Sequence, residues 1–130
     1  MSKADGTLDQ DGFGIGLMAA LHLRGLESLD ESQPTVVHEA FLEAFKVVKK
    51  DLERNVRFIV NLHPSHRTSP DVFNILSKWQ GPWATKELDG EVWKFTIDSP
   101  TAEQQLSLLA GDRQMYMEAA DAFLKRYRGY

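Results

Sequence analysis

Two histidines three positions apart, His63 and His66, run directly into Arg67, Thr68 and Ser69, the densest group of chemically capable side chains in the chain. An imidazole titrates near neutrality, so either histidine can act as a general base or, in its neutral form, ligate a metal. Arg67, Thr68 and Ser69 are donors suited to a phosphate or carboxylate, and they lie where a helix is about to begin. Backbone N–H groups at a helix start favour anions, and loops that follow a strand are a common place for ligands. Asp98, at the end of the last expected strand, is a further catalytic candidate and the natural third ligand. The plain alternative is a surface turn between His63 and Asp71 built from ordinary capping residues.

Metal ligation is the weaker chemistry here. His63 and His66 are separated by Pro64 and Ser65, unlike the i, i+4 histidines of a helical H-E-x-x-H site, so their rings need not converge. No metal and no cofactor are expected. The chain has no cysteine, which removes thiolate zinc sites, iron–sulfur clusters and cysteine nucleophiles. Gly12, Gly14 and Gly16 resemble a phosphate-binding loop only in composition, because Leu17 follows and no strand precedes them. Small residues that permit close helix packing explain them better. No G-x-S-x-G is present to raise a serine nucleophile.

The elements that would position these residues are legible from periodicity. Phe13, Leu17, Met18 and Leu21 mark a buried first helix, stopped near Gly25. Val37, Phe41, Ala44, Phe45, Val48 and Leu52 form the apolar stripe of a second helix that starts near Pro34. Val56 to His63 alternates as a strand, with Phe58, Val60 and Leu62 inward and Arg57, Asn61 and His63 outward. Ser69 as N-cap and Pro70 at the first position open a third helix, with Phe73 and Leu76 facing the core. Asp89-Gly90 is a hairpin turn between Trp83–Leu88 and Glu91–Asp98. Two helices follow, divided at Gly111 and Asp112, the last carrying Tyr116, Ala120, Phe123 and Tyr127.

This gives an α+β fold of two layers: a small three-stranded sheet with helices packed on one face, in the order α-α-β-α-β-β-α-α. Residues 1–11 read as a flexible polar tail and residues 12–130 as a single globular domain. The length, 130 residues, suits one domain, and 42% hydrophobic with 26% charged residues is ordinary globular usage.

The net charge of −4 argues against nucleic acid, whose binders neutralise phosphates, and against anionic lipid. Lys125, Arg126 and Arg128 are what the end of a helix prefers rather than a basic tail. The first eleven residues lack the apolar core of a signal peptide, so the cytoplasm is the expected compartment. These absences lead to an expected function: a small non-catalytic interaction or regulatory domain acting through a protein partner. Phe13, Leu17, Trp79 and Trp83 are its expected interface residues, with a homodimer as one outcome. The alternative is a small enzyme, or an anion- or metal-binding protein, using the loop from His63 to Asp71.

Overall fold

The computed structural model describes residues 7–81, 83–86 and 92–128. Among these it has five helices, α1 (Gln10–Leu23), α2 (Pro34–Leu52), α3 (Pro70–Trp79), α4 (Ser99–Leu108) and α5 (Arg113–Arg128). Three strands, β1 (Ser28–Asp30), β2 (Ala84–Lys86) and β3 (Val92–Phe95), form one antiparallel sheet in the order β1-β3-β2. The fold is α+β.

α1 is apolar on nearly every side because it is buried on nearly every side. It packs against α3, α4 and α5, and Phe13, Leu17, Met18 and Leu21 have no exposure at all. Its glycines serve that packing: a Cβ at Gly16 would lie 2.5 Å from the Tyr116 ring, and one at Gly14 would lie 2.7 Å from Ile75. The helix begins earlier than the sequence suggests. Asp9 caps it by accepting from Gly12 N at 2.8 Å, and Leu8 is buried, exchanging backbone hydrogen bonds with Asn55 and Arg57. Residues 7–11 are therefore part of the packed domain and not of a flexible tail. The buried Leu8 side chain, its two backbone hydrogen bonds and the Asp9 cap together hold the segment.

α2 turns its stripe toward α5, where Phe41 meets Phe123 edge-on at 5.2 Å between ring centroids. Pro34 occupies its first turn, as expected. The segment from Val56 to His63, expected as a strand, is not one. It keeps the alternation, with Val60 buried and Phe58 stacked near Phe13 and Phe45, but only Val56 bridges another segment, at Leu8. Alternation reports burial of one side. A strand also needs a neighbour to exchange hydrogen bonds with, and helices supply none. Arg57, Asn61 and His63 are thus not on a sheet face.

The remaining strand of the sheet is β1, which lies between α1 and α2 and pairs Leu29 with Trp93. Leu29, Trp93, Phe95 and Ala84 form the inner, buried face, and Phe95 meets Trp79 of α3 edge-on. Ser28, Lys94 and Thr85 lie in register on the exposed face. β2 and β3, which fall within the two expected hairpin arms, pair antiparallel, with Ala84 opposite Phe95 and Lys86 opposite Trp93. The Asp89-Gly90 turn expected between them lies outside the described residues.

Candidate functional site

The loop from His63 to Asp71 closes on itself. His63 N donates to Thr68 O at 2.7 Å and Arg67 N to His63 O at 2.9 Å, with Arg67 in the left-handed region at φ +56°. The His63 and His66 rings stack face to face, 4.0 Å apart and within 10° of parallel. Each imidazole lone pair lies in its ring plane, so two parallel rings cannot direct lone pairs at one ion. His63 Nδ1 accepts from Ser65 N, and His66 Nδ1 pairs with Thr68 Oγ1.

The donors expected to meet an anion are engaged elsewhere. Arg67 Nε donates to Glu39 Oε2 at 3.0 Å, and Arg126 Nε binds the other oxygen of the same carboxylate at 2.9 Å. Hydrogen bonds from Arg126 and then Arg67 hold the Glu39 carboxyl below its ordinary pKa. Ser69 is buried and caps α3 as expected, its Oγ accepting from Asp71 N at 3.1 Å. Its own N–H donates to His38 Nδ1 at 2.8 Å. Asp98 is not in this group. It caps α4 by accepting from Thr101 N at 2.9 Å, and Ser99 beside it contacts His22. No three His, Asp or Glu side chains gather to hold a metal among the described residues.

The expected interface residues also divide. Phe13, Leu17 and Trp79 are buried in the core, and only Trp83 keeps partial exposure. Phe13 and Leu17 have no surface with which to anchor a contact, whereas Trp79, 1% exposed, still lines a cleft beside Trp83.

The structure instead places two clefts along the flanks of α3. The first, about 200 Å³, runs between α3 and α1. Ile75, Trp79, Trp83, Gly14 and Ile15 supply its apolar walls. Gln10 and Asp11 stand at its edge, and Asp11 pairs with Lys78 at 3.1 Å. Trp79 Nε1 donates to Gly14 O at 3.2 Å, which fixes the wall.

The second cleft, about 190 Å³, lies between α3 and the sheet and is lined by Glu31, Phe73, Leu76, Gln80, Lys86 and Trp93 among others. Phe73, expected in the core, is 49% exposed at this site. Glu31 Oε1 accepts from Trp93 Nε1 at 2.8 Å, and Lys86 Nζ sits 4.8 Å from the Trp93 ring centroid. Behind the carboxylate is His38, wholly buried. Because Nδ1 accepts from Ser69, the ring hydrogen belongs on Nε2, which has no hydrogen-bond partner and lies 3.9 Å from Glu31 Oε2. Burial opposes ionisation of Glu31, but His38, Trp93 and Lys86 together outweigh it and lower its pKa. The sequence reading missed Glu31 and His38. A histidine three and seven residues before Phe41 and Phe45, on the same stripe of α2, was the available signal.

Comparison with known proteins finds no matching family model, no matching curated protein and no matching solved structure. Among the described residues, no helix is long and apolar enough to cross a membrane.

Proposed function

We propose that this domain is a non-catalytic interaction module that binds a protein partner at the cleft between α1 and α3, taking one apolar side chain of the partner between Trp83 and Ile75. The observation that carries the reading is the cleft itself: apolar walls around about 200 Å³, with an ion pair at the rim. An apolar void of roughly 150 Å³ accepts a benzene-sized group, whereas sites for drug-sized ligands begin at about 300 Å³. The volume suits one leucine or aromatic side chain better than a cofactor. An apolar seat with a polar surround is also the arrangement of binding hot spots. The internal engagement of Arg67, Thr68 and Ser69 favours this reading over a small enzyme or an anion- or metal-binding protein using their loop. A cytoplasmic setting and action without a cofactor belong to the same proposal.

The test is an amide NMR titration with N-acetyl-phenylalaninamide and N-acetyl-leucinamide. Shifts confined to Gly14, Ile15, Ile75 and the Trp83 indole are expected, and Ile15→Trp should abolish them by filling the cleft. Shifts absent from these residues, or concentrated at residues 63–71 on addition of phosphate, would overturn the reading in favour of a ligand site in the loop.

A further inference from the structure

The second cleft carries a separate inference, independent of the partner reading above. Its chemistry is that of a cation seat. The face of an aromatic ring carries negative electrostatic potential, strongest for tryptophan, and an ammonium within about 6 Å of the ring centroid is attracted to it. Trp93 already holds one, since Lys86 Nζ is 4.8 Å from its centroid. Phe73 offers a second, half-exposed ring in the same cleft.

The anionic partner for such a guest is present and oriented. Glu31 is fixed through Oε1 by the Trp93 indole N–H, and Oε2 has no hydrogen bond among the described residues. The buried, unpartnered Nε2–H of His38 faces Oε2 from 3.9 Å, too far for a hydrogen bond but near enough to favour negative charge there. A carboxylate backed by a buried donor and flanked by two rings suits an amine and repels an acid.

We propose that this cleft binds the ammonium group of a ligand, primary or methylated, seated over the Trp93 ring in place of Lys86 Nζ and paired with Glu31 Oε2. Lys86 is the resident competitor. It lies on a three-residue edge strand, exposed, and its side chain can swing into solvent when a guest displaces it. Lysine side chains of a protein and small free amines share this chemistry.

The experiment titrates the protein with N-acetyl-lysinamide, its ε-trimethyl form and choline, following the Trp93 indole N–H by NMR. The uncharged choline isostere 3,3-dimethylbutanol serves as control. Removing the competitor in Lys86→Ala should tighten binding of the amines about tenfold, within the range that a cation–π contact supplies. Lys86→Arg should not, because a guanidinium keeps the seat. Glu31→Gln in the Lys86→Ala background should lose the gain while 3,3-dimethylbutanol binds neither protein. Tighter binding of the lysine derivatives than of choline assigns the seat to a protein lysine, and the reverse order to a small amine. Equal affinity of Lys86→Ala and the parent protein, or binding of the isostere as strong as that of choline, overturns the proposal. Should Glu31→Gln fail to fold, the comparison of Lys86→Ala with Lys86→Arg decides alone.

Discussion

Gly16→Ala sets two well-characterised effects against each other at the centre of the molecule. Alanine is favoured over glycine inside a helix by about 1 kcal/mol, so at an open position the variant would be stabilised. Position 16 is not open. The new methyl carbon would lie 2.5 Å and 2.7 Å from two carbons of the Tyr116 ring and 3.0 Å from Leu109. The ring cannot swing aside easily, because Tyr116 is fully buried and its hydroxyl donates to Ala110 O at 2.5 Å. Overpacking of this kind costs about 1–3 kcal/mol, which exceeds the propensity gain. Gly16→Ala should therefore lose about 1 kcal/mol net, read as a lower urea midpoint at unchanged slope. In a Tyr116→Ala background the two closest contacts are gone and only Leu109 must give way, so the same change should cost less or stabilise by up to about 1 kcal/mol, a difference that a double-mutant cycle reports as coupling. A raised midpoint for Gly16→Ala in the parent protein would show that α5 does not press on α1 as described.

Two further outcomes follow from the geometry around α3. Ser69→Ala should cost about 1 kcal/mol in urea unfolding through loss of the helix cap, and a loss near zero would mean that α3 is started by Pro70 alone. The Glu31 carboxyl has its pKa lowered below 4.5 in the folded state, so the stability it contributes is present above that pH and is lost as pH falls through the folded value. Glu31→Gln should accordingly flatten the acid limb of a stability–pH curve below about pH 4.5 relative to the parent, and superimposable acid limbs would refute the coupling.

The local signals were the readable ones. Ser69-Pro70 opened α3 as a cap and first turn should, and the stripe from Val37 to Val48 marked the buried side of α2. What failed was the inference from a pattern to a partner. Phe58 and Val60 alternate correctly, yet Phe58 faces Phe13 and Phe45 of two helices and Val60 is buried in the core without a paired strand beside it. β1 could not be found by periodicity, because three residues with one apolar member, Leu29, carry no period. The cleft at Glu31 was illegible for a similar reason. Trp93 reaches Glu31 across 62 positions and Ser69 reaches His38 across 31, and neither distance leaves a trace in local composition. The loop from His63 to Asp71 was conspicuous because its residues are chemically versatile, but versatility is also what a self-bonded turn requires.

The burial of α1 has a consequence for how the protein comes into being. Its apolar surface is covered largely by α4 and α5, and α5 begins at Arg113, 90 positions beyond the end of α1 at Leu23. At synthesis rates of about 5–20 residues per second, that helix waits roughly 5–18 seconds before synthesis of its last covering element even begins. During that interval it is an uncovered apolar segment, so the nascent chain is most exposed to aggregation and to chaperone capture while it is still incomplete.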